Sequence, residues 1–350
     1  MGQRWIVILI ISFIAIAYFI SISGYRGAPG DVKIGSRRIL KIFHAGSLVP
    51  PLSKLEEIYE SDNPGVDIQR EAAGSVVSIR KITELGRKAD ILASADYSII
   101  SKYMYPIHAD WNIQFARNEI VIAYTNRSLY ASEIDNNNWY MILKRDDVRF
   151  GFSNPNDDPC GYRTMFVIAL SDIYYNKSIF SELIERNTAI KMDKICSTIC
   201  RYHITVPNTY KIDPNREKIL MRSMEVELSS ALETGAIDYF FIYRSIAVEH
   251  NFRFISLPDD VNLGSKELGE LYSRVSLSQA NGKNIIAKPI LYGITIVKDA
   301  DNYDDSVNFI KLVISERGLS VFREYGLLPY ITVDEDEIDK IPVELIEYVG

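Results

Sequence analysis

A short segment with two adjacent carboxylates is the clearest place for chemistry in this sequence. Asp157 and Asp158 lie between two prolines, and Cys160 and Gly161 follow the second proline. The apolar run 165–170 comes next and is typical of the first turns of a helix. A helix start offers unpaired N–H groups and a positive dipole end, which suit an anion. Two acidic side chains there fit a metal centre or a helix cap better, and both interpretations stay open.

Other loops of the same kind offer anion-binding groups. Each connects a predicted strand to a predicted helix, and they lie at 46–47, 74–75, 158–161 and 243–245. In an α/β sheet such loops meet at the carboxyl ends of the strands, where ligands bind. Glycine lets a ligand approach the backbone, serine adds a hydroxyl and an N–H, and the helix end favours negative charge. Gly-Ser is also a common turn and helix cap, so a purely structural role stays open.

The strands and helices on either side must position these loops. Strand and helix patterns alternate along the chain, which predicts an α/β fold with mainly parallel sheets. The acidic tail from Asp334 is expected to be loosely held, and 191–215 is expected to contain a hairpin or loop. Strand patterns occur at 38–43, 66–70, 89–93, 119–124, 148–152, 219–221, 237–243 and 294–297. Helix patterns occur at 48–59, 76–85, 139–143, 164–175, 179–186, 225–233, 306–314 and 318–325.

The N-terminus has the pattern of an export segment. Arg4 precedes an uncharged and mostly apolar stretch, 5–25, and small residues follow it. The same stretch is long enough to span a bilayer as an uncleaved anchor. Residues 1–30 are therefore predicted to be a signal peptide or an N-terminal membrane anchor with a linker. Everything after about residue 30 is expected to lie outside the cytoplasm.

Composition and motifs argue against several classes of protein, but they do not decide the bonding state of the cysteines. A net charge of −7 without a long basic run argues against nucleic-acid binding. The four histidines are scattered, and the chain has no Walker loop, no nucleophile elbow and no His-Glu-x-x-His helix, so no motif indicates an enzyme. In an exported protein Cys196 and Cys200 can form a disulfide. Free thiols, or a metal site with His203, remain alternatives.

Six segments resemble the archaeal molybdate/tungstate-binding proteins of ABC importers, and together they extend from about 41 to 330. They are HAGSL (44–48), REAAGS (70–75), KITELG (81–86), ADILASAD (89–96), GFSNPNDDPCGYR (151–163) and KPILYG (288–293). The resemblance implies a type II periplasmic-binding-protein fold with two α/β lobes. Lobe I would comprise 38–117 and 292–350, and lobe II would comprise 118–291. Two hinge crossings would lie near 116–121 and 289–293.

The resemblance also implies the ligand and its contacts. Members of the family use serine and backbone N–H donors, and two carboxylates complete six-coordination around the metal of the oxyanion. Mo(VI) and W(VI) are hard centres that accept carboxylate oxygen. Asp158 and Glu225 would be these ligands, with Asp157 and Glu227 as alternatives, while Cys160 would supply a backbone N–H. The full implied site consists of Gly46, Ser47, Ser75, Asp158, Pro159, Cys160, Glu225 and the hydroxyl donor Tyr243.

The function implied is extracytoplasmic capture of molybdate or tungstate for an ABC transporter permease. Such a protein has no catalytic residues and no cofactor, is a monomer, and meets the membrane through its N-terminus or the permease. A receptor for sulfate, phosphate or ferric ion is the alternative within binding proteins. A metal-dependent hydrolase using Asp157, Asp158 and Glu225 is the alternative among enzymes, and it needs a metal-bound water at an open ligand position.

Overall fold

The computed structural model describes residues 37–349, in which helices pack around three β-sheets. The signal peptide or anchor predicted at 1–30 lies outside this part of the chain. Among the residues that are described, no helix has the length and apolar character needed to cross a membrane.

Strands form at all eight predicted positions, with ends that differ by a few residues, whereas the strands at 113–117, 253–256, 275–278, 284–286 and 328–332 were not predicted. A segment predicted at 89–93 illustrates this: the strand covers four residues that are all buried, as expected for a strand covered on both faces. In chain order the strands are β1 (Arg38–Ala45), β2 (Val66–Ala73), β3 (Ile91–Ser94), β4 (Ile113–Arg117), β5 (Ile120–Tyr124), β6 (Phe150–Ser153), β7 (Lys191–Cys196), β8 (Cys200–Thr205), β9 (Ile219–Arg222), β10 (Tyr239–Tyr243), β11 (Arg253–Ser256), β12 (Val275–Ser278), β13 (Asn284–Ile286), β14 (Leu291–Ile296) and β15 (Leu328–Thr332).

Helices follow the strands and bury one apolar face. The first helix shows why: prolines occupy its first turn, where no N–H partner is lost, and Leu52, Leu55 and Tyr59 are buried at helical spacing. The α-helices are α1 (Val49–Asp62), α2 (Ser75–Thr83), α3 (Ser98–Met104), α4 (Trp139–Lys144), α5 (Pro159–Tyr175), α6 (Val226–Glu233), α7 (Arg244–Glu249), α8 (Asp259–Asn262), α9 (Gly269–Tyr272), α10 (Tyr303–Ile314), α11 (Glu316–Glu324) and α12 (Val343–Val349).

The three sheets divide the chain between them. The first has six strands in the order β15-β4-β14-β3-β1-β2, and the second has five in the order β11-β5-β10-β6-β9. The third has the order β13-β12-β8-β7. Helix α5 contacts β5, β6 and β10 of the second sheet and β12 of the third. Because sheets cover it from two sides, α5 buries the whole run from Thr164 to Ser171.

The α/β fold class is confirmed, but the expectation of mainly parallel sheets needs a correction. Parallel pairs join β1 to β2 and β3, β6 to β9 and β10, and β8 to β12. The other pairs are antiparallel, among them β14 with β3 and with β4, and β5 with β10. The reason is that the chain passes between sheets at the carboxyl ends of the parallel strands. Strands that start or finish at a crossing therefore run against their neighbours.

Two adjacent segments connect the first sheet to the other two. The chain leaves for the second sheet through Asn118 and Glu119, between β4 and β5, and it returns from the third sheet at the start of β14. The backbone N–H of Asn118 donates to the carbonyl of Ile290 at 3.0 Å, so the two crossings are hydrogen-bonded to each other. Both lie within the segments expected to be hinges, 116–121 and 289–293. Their motion and the division into lobes stay predictions.

Two further features resolve expectations about the surface. The expectation of a loosely held tail was wrong, because Glu337 is buried and accepts hydrogen bonds from the backbone N–H of Asn112 and the hydroxyl of Tyr105. Strands β7 and β8 form the predicted hairpin, and Cys196 and Cys200 are joined by a disulfide at its end.

Candidate ligand-binding site

The first sheet places two Gly-Ser pairs side by side. Strands β1 and β2 are parallel and in register, with Ala45 opposite Ala73 at their carboxyl ends. Each strand is followed at once by glycine and serine and then by helical structure. The pairs 46–47 and 74–75 therefore leave the same sheet edge at equivalent positions.

Both serines keep a hydroxyl hydrogen available for a ligand. The Ser47 oxygen accepts a hydrogen bond from the Tyr292 hydroxyl at 3.2 Å, and the Ser75 oxygen accepts one from the backbone N–H of Ala95 at 3.1 Å. Since each oxygen is already an acceptor, its hydrogen is free to donate. A Cβ added to Gly46 or to the glycine before Ser75 would meet no atom within 4 Å. No atom of residues 37–349 thus fills the space next to these two glycines.

The second sheet brings three further residues to one edge in the same way. Strands β9, β6 and β10 are parallel neighbours. Glu225 follows the end of β9, Asp158 follows β6 across a short loop, and Tyr243 is the last residue of β10. The carboxyl ends of three adjacent strands therefore present the three side chains that are far apart in the sequence.

Asp158 caps helix α5 and is only 2% exposed. One carboxylate oxygen accepts from the N–H of Cys160 at 3.2 Å, and the other accepts from the N–H of Glu225 at 2.9 Å. Pro159 occupies the first helical position, where its missing N–H costs nothing. Asp157 is exposed and accepts from the Asn154 amide. The geometry thus pairs Asp158, rather than its neighbour, with Glu225.

Gly161 lets the start of α5 lie directly on the end of β6. A Cβ at this position would be 2.3 Å from the carbonyl oxygen of Ser153 and 2.7 Å from the carbonyl carbon of Asn154. These neighbours are backbone atoms, so they cannot rotate away. This close approach positions Asp158. The turn-rich sequence around Gly161 was the available signal for this role of the glycine.

Glu225 carries a buried carboxylate oxygen next to the carboxylate of Asp158. Its Oε2 atom is buried and has no hydrogen-bond partner among the residues described. Burial, together with the adjacent Asp158 carboxylate, raises the pKa of Glu225 to about 8. Glu227, the alternative, is exposed in the first turn of α6. Two carboxylates held this close are unfavourable unless a proton or a positive centre joins them.

A cavity of about 330 Å³ is lined by residues from the edge of the first sheet and from the edge of the second. Of the expected site residues, Gly46, Ser47 and Glu225 line it, and Asp158 reaches it only through its contact with Glu225. Ser75, Pro159, Cys160 and Tyr243 are not among its lining residues. Lining residues that the sequence did not indicate come from the start of α1, from α7 and from the residue that follows α11: Val49, Pro50, Pro51, Ile246, Glu249 and Tyr325.

Tyr243 is held by a residue that sequence analysis missed. Its hydroxyl accepts a hydrogen bond from the Arg163 guanidinium at 2.5 Å. Burial raises the pKa of Tyr243 well above its usual value, so the phenol keeps its proton. Arg163 closes the motif 151–163, and its position just beyond the carboxylates was the available signal.

The remaining chemistry of the site is limited. Within residues 37–349, no group of three or more His, Cys, Asp or Glu side chains is arranged to hold a metal ion. The Cys160 thiol is buried. This burial raises the pKa of the thiol, and the negative charges of Glu225 and Asp158 raise it further. It is therefore held as a thiol, which is a poor nucleophile. The pair of carboxylates can supply two ligands to a centre that brings its own oxygens.

Comparison with known proteins identifies the family. The family model described as bacterial extracellular solute-binding protein matches residues 40–328. This chain belongs to that family. An uncharacterised solute-binding protein of Methanococcus maripaludis is 43% identical over 97% of both chains. The molybdate/tungstate-binding protein WtpA of Pyrococcus abyssi is 44% identical over 304 residues, which cover 84% of this chain and 86% of that protein.

Solved structures agree on the fold of this solute-binding protein. The substrate-binding domain of a putative molybdenum ABC transporter from Clostridium difficile superposes with a TM-score of 0.57. It covers 83% of this chain and 99% of that domain at 16% identity. At this identity the likeness establishes the periplasmic-binding-protein architecture alone.

Proposed function

We propose that this protein captures molybdate and tungstate outside the cytoplasm and delivers them to the permease of an ABC importer. It binds its cargo without transforming it. One observation carries the proposal: the buried Oε2 of Glu225 has no hydrogen-bond partner within residues 37–349, beside Asp158 and in a cavity shared with Ser47. The 44% identity to a molybdate/tungstate-binding protein supports the same cargo.

Coordination chemistry explains why acidic side chains suit an anionic cargo. The metal of a tetrahedral MoO4 or WO4 dianion is a hard centre that can add two more oxygen ligands. Asp158 and Glu225 would supply these oxygens and become ligands to the metal. The unpartnered carboxylate oxygen then gains a bond, and the repulsion between the two side chains is relieved.

The cargo's own oxygens need hydrogen-bond donors. The first sheet offers the hydroxyls of Ser47 and Ser75 in front of loops that leave open space. The second sheet offers the hydroxyl of Tyr243, whereas the backbone N–H of Cys160 is engaged by the Asp158 carboxylate and would have to turn from it to reach the cargo. Because the donors come from both sheets, the cargo would draw the two sheets together through the crossings at Asn118 and Ile290.

Selectivity follows from the same chemistry. Sulfur in sulfate does not expand to six oxygens, so the two carboxylates would face sulfate as bare negative charges. Phosphate meets the same repulsion. The site therefore rejects sulfate and phosphate because the charges of its two carboxylates stay uncompensated. It accepts tungstate because the metal binds the same carboxylates.

Titration calorimetry and thermal shift with the full chain test the proposal. Tungstate and molybdate should bind and raise the unfolding temperature, whereas sulfate, phosphate and ferric ion should not. X-ray absorption at the tungsten edge should report six oxygen neighbours in the complex. Sulfate binding of comparable strength, or a four-coordinate tungsten, would contradict the carboxylate-ligand proposal.

Export and attachment complete the proposed role. We place the mature protein outside the cytoplasm as a monomer, held at the membrane by its N-terminus or by the permease. Mass spectrometry of the native protein distinguishes cleavage near residue 30 from retention of the N-terminal segment. Recovery of the intact protein from the soluble cytoplasmic fraction would contradict this location.

A further inference from the structure

Arg163 is a largely buried cation whose polar partner is a tyrosine. It lies in the second turn of α5, five residues after Asp158. Its Nη1 donates to the Tyr243 hydroxyl at 2.5 Å, and its guanidinium carbon is 5.5 Å from the centroid of the Tyr243 ring. The ring of Tyr162 lies at 5.9 Å on another side. A guanidinium removed from water usually has a carboxylate partner, because its desolvation is otherwise uncompensated.

The hydrogen bond between the two side chains has only one possible direction. A guanidinium carries donors and no acceptor, so the Tyr243 oxygen must be the acceptor. The hydroxyl hydrogen of Tyr243 must then point away from Arg163 and remain available. A phenol oxygen that accepts a charge-assisted hydrogen bond is also a stronger donor through its own hydrogen.

Tyr243 lies at the sheet edge that carries the other site residues, although it does not itself line the cavity. Tyr243 ends β10, and Ser245 on the following helix lines the cavity. Asp158 and Arg163 both come from the start of α5, beside β10. Asp158 accepts the backbone N–H of Glu225, so the helix that carries Arg163 begins at the carboxylate pair.

We propose that Arg163 is a positioning residue for the bound oxyanion, acting through Tyr243. It fixes the tyrosine hydroxyl as a donor to a cargo oxygen, and it contributes positive charge where a dianion joins two carboxylates. The proposal rests on the proposed function, since it assigns a role within the same site.

A double-mutant comparison tests this role. Arg163→Met and Tyr243→Phe should each weaken tungstate binding at least about tenfold in titration calorimetry, the loss expected for a hydrogen bond to a charged group. In the Tyr243→Phe background, Arg163→Met should cause a clearly smaller loss. Arg163→Lys keeps the charge and a donor and should recover part of the affinity. Molybdate should show the same pattern.

Arg253→Met provides the matched control. Arg253 also stacks on a tyrosine, Tyr124, at 4.9 Å, but the pair lies at the end of β5 away from the crossing. Its tungstate affinity should equal that of the wild type. Unfolding temperatures without ligand separate loss of binding from loss of fold.

The outcomes are distinct. If wild-type protein binds neither tungstate nor molybdate, the proposed function fails and the role of Arg163 fails with it. If the wild type binds and Arg163→Met binds equally well, only the positioning role is overturned. An equal loss in both Tyr243 backgrounds would show that Arg163 acts by charge alone, which also overturns it. Should Arg163→Met not fold, the same two-background comparison is made with Arg163→Lys.

Discussion

Gly161→Ala should damage both the fold and the site, because the glycine is the contact point between α5 and β6. The added methyl carbon would be 2.3 Å from the carbonyl oxygen of Ser153, whereas ordinary contacts begin at 3.4 Å. The helix start must therefore move by about 1 Å. Overpacking of this kind costs about 2–3 kcal/mol of unfolding free energy. For a chain of this size that is roughly a 3–4 °C lower unfolding temperature.

The same movement should reach the ligand. Asp158 caps this helix and accepts the N–H of Glu225, so a shift of the helix start separates the two carboxylates from their present geometry. Binding sites tolerate only about 0.5 Å of such displacement. We expect tungstate affinity to fall by about one to two orders of magnitude, by analogy with misplaced catalytic groups.

Gly269→Ala is the matched control for this experiment. Gly269 is also at the start of a helix, but a Cβ there would meet only the side chain of Pro289 at 3.7 Å. Its effect should lie within about 0.5 kcal/mol of zero. Differential scanning calorimetry and tungstate titration of both variants decide the question. If Gly161→Ala matched Gly269→Ala in both measurements, the argument from close packing would be refuted.

The remaining predictions concern ionisable side chains. Glu225→Gln and Asp158→Asn should each lower tungstate affinity at least about 100-fold, since each removes a charged ligand worth about 3 kcal/mol. Their exposed neighbours Glu227→Gln and Asp157→Asn serve as controls in the same titration, and equal losses in a control would assign the ligand wrongly. Burial raises the pKa of Asp172 to about 6, so the folded protein favours the protonated carboxyl. The contribution of this protonated group to the free energy of unfolding is complete below about pH 4 and is lost as pH rises through 6. Asp172→Asn should therefore gain stability relative to wild type between pH 4 and pH 7, by on the order of 2 kcal/mol. A pH-independent difference in urea unfolding would rule this out.

Local pattern was sufficient for the fold class and for most elements. The Gly-Ser loops at 46–47 and 74–75 were recognisable because strand and helix periodicities flank them. The resemblance carried by the motif 151–163 then implied the family, which comparison confirmed. The pattern could not predict the relative direction of the strands. Strand β14 is an apolar run, and such a run is the same whether the neighbouring strands are parallel or antiparallel to it.

Choices between neighbouring residues also lay beyond the sequence. Asp157 and Asp158 are chemically identical, and only the cap on α5 turns one toward Glu225 and leaves the other in solvent. Arg163 had no visible role until the end of β10 brought Tyr243 within 2.5 Å of it. These relations depend on which strands are neighbours, and that is a property of long-range pairing.

By itself, the sequence determined the alternation of elements, the loops that follow the strands and an acidic pair in a glycine- and proline-rich turn, because these depend on local periodicity and turn chemistry. Tertiary structure alone decided that β9, β6 and β10 are neighbours, and hence that Glu225, Asp158 and Tyr243 share one sheet edge. It also decided that a glutamate oxygen is buried there with no partner in the part of the chain that the structure describes. The physical reason is that burial and charge proximity arise from contacts between residues distant in the chain, which no local pattern encodes.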